Sequence, residues 1–221
     1  MSRVVERVKE LLAATYAEQR SQEWLELRES MITASDVASA IGENHYETPD
    51  AFIKKKVLRT KWEGNAATAH GTLLEPLVRK MYDEKFGKTT HEIGVVQHRD
   101  YSWLGGSPDG ITEDGLLVEI KCPLTRKIEA KVPKHYMPQI QLLLEIVDLD
   151  ECDFVQYKPP EEFVVVRVKR DPAWFKTCFP KMKSAWDRIV KGRQCGLCEL
   201  IDDVTVQFKN EIVCDIVDDV S

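Results

Sequence analysis

The turn Ser107-Pro108-Asp109-Gly110 is followed by Glu119-Ile120-Lys121 inside the apolar run Leu116–Cys122. That run reads as a buried strand. Side chains alternate along a strand, so Leu117, Glu119 and Lys121 share one face while Val118, Ile120 and Cys122 share the other. Two charged groups on such a strand are costly to bury unless something pairs with them. A divalent metal facing Asp109 and Glu119 would supply that compensation, with Lys121 left to orient or activate a water. The chemistry implied is metal-assisted hydrolysis.

The elements that must hold these residues follow from periodicity. Val4, Val5, Val8, Leu11, Leu12 and Thr15 recur at helical spacing, which predicts a first helix to about Glu18. Ser21 can cap a short second helix, and Thr33 or Ser35 a third from Ala34 to Ile41 that Gly42 stops. Thr48-Pro49 starts a fourth. A long helix from about Ala66 to Phe86 ends at Gly87, and Pro76 should kink or break it. Thr90–His98 and Tyr101–Gly105 read as strands before the Ser-Pro-Asp-Gly turn. A helix through Ile140 and Val147, β-rich segments at Glu151–Tyr157 and Glu162–Val168, and a helix from Pro172 to about Val190 complete the pattern. The expected architecture is α/β, a central mixed sheet flanked by helices. Without a repeat or low-complexity linker, one domain over 1–221 is expected. It comprises a helical part to about residue 88, a catalytic core over about 89–195 and an acidic extension over about 199–221.

The chain carries 43% hydrophobic residues with 11 Gly and 10 Pro, an ordinary globular composition. No apolar run reaches the length of a membrane span and the N-terminus has no signal-peptide pattern, so an intracellular protein with reduced cysteines is expected. The net charge of −6 resides in residues 199–221, where seven acids face Lys209 alone, so residues 1–198 balance to zero. Bases group at Lys54-Lys55-Lys56 with Arg59 and Lys61, around Arg126, Lys127, Lys131 and Lys134, and from Arg167 to Arg193. Such groups can track a phosphate backbone; any one taken alone is more simply a solvated face. Cys195-Gly196-Leu197-Cys198 has the spacing of half a metal site, but with no histidine near it structural cysteines are the simpler reading.

Five motifs in one order carry a family resemblance. They are Trp24…Leu27-Arg28…Ile32-Thr33-Ala34-Ser35-Asp36, Gly71-Thr72-Leu73-Leu74-Glu75, Ser107-Pro108-Asp109-Gly110, Glu119-Ile120-Lys121-Cys122-Pro123, and Tyr136-Met137-Pro138-Gln139-Ile140-Gln141. Together they resemble the lambda-type phage and viral alkaline exonucleases of the PD-(D/E)xK nuclease superfamily. The resemblance implies a restriction-endonuclease-like core and Mg²⁺-dependent 5′→3′ digestion of linear double-stranded DNA to 5′-mononucleotides, with Mn²⁺ able to substitute. It implies that Asp109, Glu119 and the Ile120 carbonyl bind metal, with Glu75 as a further ligand. Lys121 and Gln139 would hold the attacking water. Arg28 and Ser35 would bind the terminal 5′-phosphate, and Ser107, Tyr136 and either Arg126 or Lys127 would contact the DNA.

The match covers roughly residues 24–141. The tyrosine that helicase-linked nucleases carry four residues after the glutamine is replaced here by Leu143. The family's ring-shaped trimers depend on contacts outside the matched region, which leaves oligomeric state open. A viral source would place the protein in the cytoplasm or nucleus of an infected cell, and a basic single-strand annealing protein is a candidate partner for the acidic tail. The competing readings are an endonuclease of the same superfamily and a non-catalytic DNA-end-binding recombination protein.

Overall fold

The computed structural model describes residues 3–60 and 64–196. Helix α1 (Arg3–Ala13) stops five residues short of the expected end, because the Tyr16 hydroxyl donates to the Leu11 carbonyl and its ring turns in against Gly94. Helix α2 (Gln22–Glu29) is capped as expected, the Ser21 hydroxyl accepting the Trp24 N–H. Strand β1 (Ile32–Thr33) then runs into α3 (Val37–Ala40), half the expected length. The Ala34 N–H remains in the sheet on the Gly105 carbonyl, and Asp36, at the N-cap, turns its carboxylate back onto Thr33. Helix α4 (Pro49–Val57) starts on Thr48. Helix α5 (Ala66–Phe86) runs unbroken through Pro76 and ends on left-handed Gly87.

The expected strand over residues 90–98 divides between two sheets. Its first part, β2 (Thr90–His91), pairs with β5 (Gly110–Thr112); its second, β3 (Val96–Gln97), pairs with β4 (Leu104–Gly106). Strand β6 (Leu116–Lys121) follows, then a 3₁₀ turn (Lys134–Tyr136) and α6 (Met137–Val147). Strands β7 (Glu151–Lys158) and β8 (Glu162–Lys169) and helix α7 (Pro172–Cys195) close the chain, α7 running past the expected Val190.

The larger sheet has the order β2-β5-β6-β7-β8, mixed as expected, with β6 and β7 parallel and the other neighbours antiparallel. A smaller sheet of order β1-β4-β3 stands beside it. The alternation read from the sequence holds. Leu117 enters the core shared with α6, while Val118, Ile120 and Cys122 pack with Val78 and Tyr82 of α5. Each fully buried side chain of this kind contributes about 1.5–3 kcal/mol. Buried Leu142, Leu143 and Leu144 of α6 thereby fix that helix against the strand that carries Glu119.

Gly106 governs one close approach. A Cβ there would stand 2.6 Å from Leu143 Cδ2 and 3.1 Å from the Ala34 methyl. The turn that begins at Ser107 is thus held against α6. Among the described residues, no helix is long and apolar enough to cross a membrane.

Candidate active site

Strand β6 lies in the middle of its sheet, and the pairing of β5 with it ends at Gly110–Val118. Beyond that point the two strands separate, and Asp109 fills the place of the missing partner: its Oδ2 accepts the Ile120 N–H at 2.6 Å. A strand residue directs its N–H and C=O to the same side, so the Ile120 carbonyl also faces the gap beside Asp109.

Glu119 is only 1% exposed. Its Oε1 accepts from Lys121 Nζ and from Gln139 Nε2 of α6, both at 2.5 Å. Its Oε2 is buried and has no hydrogen-bond partner. The ion pair is therefore within one central strand, not between strands at an edge. Glu75 approaches from α5, its Oε1 held by Arg79 at 3.1 Å and its Oε2 4.0 Å from Arg20.

The electrostatics show three carboxylates crowded together. Burial and then the Asp109 charge push Glu119 up to about 8, against the pull of Lys121. Burial and Asp109 likewise raise Glu75 to about 7. Asp109 is itself raised, mainly by burial, with Lys121 opposing. Burial alone would lower Lys121, but Glu119 and Asp109 outweigh it and hold the ammonium protonated. An orphaned Glu119 oxygen amid mutually repelling carboxylates fits a hard divalent cation. Among the described residues, no three His, Cys, Asp or Glu side chains form a ligand cage by themselves. Such an ion would draw further ligands from the Ile120 carbonyl, water or a substrate oxygen.

A second constellation forms where β1 ends. Parallel pairing aligns Ile32 with Leu104 and Thr33 with Gly105, and the Ala34 methyl then lies against Gly106, one residue before Ser107. Arg28 Nη2 donates to Ser35 Oγ at 2.9 Å, and Thr33 Oγ1 lies 2.9 Å from the same hydroxyl. Below them Lys56 Nζ meets Asp36 Oδ2 at 2.8 Å and donates to the Arg28 and Met31 carbonyls, each at 2.9 Å. Among the described residues Arg28 has no carboxylate at ion-pair distance. Its guanidinium lies 4.5 Å from the Trp24 ring, and burial lowers its pKa, only partly offset by Asp36. A half-buried cation left without a counter-ion suits an anionic ligand. Ser107 Oγ, at the start of the turn that carries Asp109, is also buried without a partner.

Of the two basic candidates after Lys121, the structure distinguishes Arg126. Its Nη1 donates to Gln156 Oε1 at 3.0 Å, while its Nη2 is buried and unpartnered. Lys127 is exposed and contributes only a carbonyl acceptor to Arg126. Tyr136 serves two environments: its ring lies 5.7 Å from Phe154 in the core and 5.3 Å from Lys121 Nζ.

Several contributors escape a motif reading. Lys56 stands in a basic run that suggested backbone tracking, yet it points inward, and Lys55 pairs with Glu47. Only Asp36, the one charge between Met31 and Gly42, hinted at a buried partner. Gln156 on β7 is fully buried and gave no signal beyond its polarity. In the basic group from Arg167 to Arg193, Arg167 pairs with Asp153 and Glu151, Arg170 with Glu145 and Asp148, and Arg188 with Asp50. These bases hold the fold together. Among the described residues Cys122, Cys152 and Cys178 are buried thiols outside any disulfide; Cys198, Cys214 and the acidic tail lie outside the described residues.

Comparison with known proteins places this geometry. The solved alkaline exonuclease LHK-Exo of Laribacter hongkongensis superposes with a TM-score of 0.69 at 25% identity, covering 85% of this chain and all of that one. Its complex with dAMP gives 0.68 at 26% identity, over 82% and 99%. An uncharacterized protein of Acanthamoeba polyphaga mimivirus is 30% identical over 163 residues, 65% of this chain and 30% of that protein. A protein of African swine fever virus is 34% identical over 156 residues, 56% of this chain and 45% of its own length. The chain thus spans less than half of either viral relative. Residues 23–150 match the YqaJ-like viral recombinase domain, and with more than half of its length in that match the chain belongs to this family.

Proposed function

We propose that this protein is a Mg²⁺-dependent deoxyribonuclease that digests linear double-stranded DNA from 5′ ends, releasing 5′-mononucleotides, with Mn²⁺ able to replace Mg²⁺. The observation that carries the reading is Glu119: a fully buried carboxylate on a central strand, gripped by Lys121 and Gln139 through one oxygen and bare at the other. The likeness to an alkaline exonuclease over that enzyme's full length supports it.

Asp109, Glu119, the Ile120 carbonyl and Glu75 would hold the metal. When bound, Mg²⁺ supplies positive charge at the phosphoryl oxygens and makes a bound water more acidic. Lys121, kept protonated by its carboxylate neighbours, donates a hydrogen bond to the attacking water and balances charge in the transition state. Gln139 fixes the rotamer of Glu119, and so the direction of its free oxygen. Attack at phosphorus forms one P–O bond and breaks the bond to the 3′ oxygen. The freed nucleotide keeps its 5′-phosphate, and the shortened strand begins with a new one.

That new end is the ligand for which Arg28 and Ser35 are suited. Ala34, the neighbour of Ser35, packs on Gly106 three residues before Asp109, which supports a strand path from phosphate anchor to carboxylates, with each cut regenerating the group the anchor binds. Such contacts read an end, not a sequence.

End-labelled linear duplex incubated with and without Mg²⁺ tests the proposal. Mononucleotides should appear from the 5′ end only with the metal, closed circles should survive, and Lys121→Ala should abolish release while DNA binding persists. Arg28→Ala should reduce the preference for a 5′-phosphate over a 5′-hydroxyl by about tenfold, the order expected for one charge-assisted contact. A fully active Lys121→Ala protein would defeat the mechanism, and cutting of closed circles at a similar rate would make the enzyme an endonuclease.

A further inference from the structure

Beside Lys121, four rings from two distant segments come together. Tyr136, 5.3 Å from Lys121 Nζ, has its neighbour His135 at 4.1 Å. His135 meets His45 edge-on at 5.3 Å and Tyr46 at 5.8 Å, and His45 and Tyr46 lie 3.7 Å apart. His45 and Tyr46 belong to the loop between α3 and α4, which is firmly held. Asn44 donates to Ser39 Oγ at 2.9 Å and accepts the Tyr46 N–H at 3.0 Å, and Lys55 ties down Glu47 at 2.6 Å.

Core packing accounts for Tyr136 but not for Tyr46, which is 78% exposed. An ordered loop that presents a tyrosine and an imidazole to solvent, joined to Lys121 through the rings of His135 and Tyr136, has the makings of a stacking surface. Its surroundings are cationic as well. Burial, then the fields of His45, Arg126 and Lys121, push His135 below its ordinary value and keep its ring neutral.

We infer that His45, Tyr46 and His135 form a platform on which an unpaired nucleobase of the digested strand stacks, next to the scissile phosphate. This rests on the nuclease reading. A duplex end must part its strands before one phosphate can reach carboxylates as deeply set as Glu119. The base that leaves the duplex loses its stacking neighbours, and the exposed rings replace them without regard to sequence, since every base has a π face. Tyr136 continues the same surface inward to Lys121, so base and phosphate of one nucleotide find their contacts side by side.

Binding of a short 5′-phosphorylated single-stranded oligonucleotide, followed by fluorescence anisotropy in EDTA, tests the platform apart from cleavage. The comparison strand is abasic at its first two positions. Stacking on an aromatic side chain is worth a factor of about 5 to 150 in affinity per base. The wild-type protein should prefer the base-bearing strand by at least about fivefold. Tyr46→Ala and His45→Ala should shrink that ratio toward one, and Tyr46→Phe should keep it. Both positions are exposed, and an unchanged melting temperature verifies folding. A ratio that stays the same in both alanine variants overturns the platform, whether or not the protein cleaves DNA. A protein that keeps the base-dependent ratio, loses it in the variants, and yet releases no nucleotide with Mg²⁺ supports the platform and defeats the nuclease reading alone.

Discussion

Replacing Gln156 by Leu separates the position of Arg126 from its charge. Gln156 is fully buried and is the register neighbour of Lys121 on β7. Its amide donates to the Glu129 carbonyl at 2.7 Å and the Lys131 carbonyl at 3.3 Å, and its Oε1 holds Arg126. One glutamine thus pins the segment between β6 and the 3₁₀ turn and aims the guanidinium it carries. Leucine is close in volume but removes all three bonds. The charged bond contributes about 1.5–3 kcal/mol and each neutral one about 1 kcal/mol. Glu129 and Lys131 are exposed, so their carbonyls regain water, and the leucine side chain returns part of the loss through apolar burial. A net cost of about 2 kcal/mol remains, or about 4–8 °C in melting temperature for a chain of this size. DNA affinity should fall about tenfold, as it should for Arg126→Ala. The decisive assay is the double-mutant cycle. Gln156→Leu added to Arg126→Ala should weaken DNA binding no further, because the two act through one contact. Additive losses would refute the coupling, and an unchanged melting temperature in Gln156→Leu would refute the anchoring.

Gly106→Ala should destabilise by about 1–3 kcal/mol, read as a lower urea midpoint with unchanged slope, because the new methyl overlaps Leu143 of α6. The carboxylates crowded around Glu119 should impose a pH dependence on the metal-free protein. Glu119 rises from its ordinary 4.5 to about 8 on folding, so between those values the folded state keeps a proton the unfolded chain has released. Stability tied to Glu119 is fully present below pH 4.5 and is lost as pH rises toward 8, at up to about 1.4 kcal/mol per unit. Melting in EDTA at several values from pH 5 to 8 should therefore show Glu119→Gln gaining on the wild type. Added Mg²⁺ should narrow the difference, since it favours the ionised carboxylate. A wild-type protein that gains on Glu119→Gln as pH rises would contradict the assignment.

The strand that carries Glu119 and Lys121 was legible because its signal is local. Alternation along Leu116–Cys122 sorts each residue to a face, and two charges in that setting demand a partner. The helix ends at Ser21, Thr48 and Gly87 were legible for the same reason. What escaped depends on distant contacts. The run from Thr90 to His98 has the composition of one strand, but its two ends pair with different sheets. The short α3 reflects Ala34 staying with Gly105, which no local propensity encodes. The roles of Lys56 and Gln156 were not legible, because a lysine in a basic run and a glutamine in a strand acquire them only through Asp36 and Arg126. The motifs named the groups suited to touching substrate; the residues that hold those groups in place are scattered and carry no pattern.

The groups proposed for hydrolysis and those proposed for holding a strand end also differ in what supports them. Glu119 and Lys121 stand on a central strand that pairs with β7 along its whole length, has Asp109 closing its other side at Ile120, and is covered by helices on both faces. Arg28 stands on a two-turn helix with no fully buried residue, next to a strand of two residues. Amide hydrogens in such a helix exchange through local opening, while those of a central strand wait for the whole domain to unfold. In the nuclease proposed above, the carboxylates would sit in the stiff part of the molecule and the phosphate anchor in its pliant part, so the anchor would be the part able to let go and take hold again as a strand end recedes.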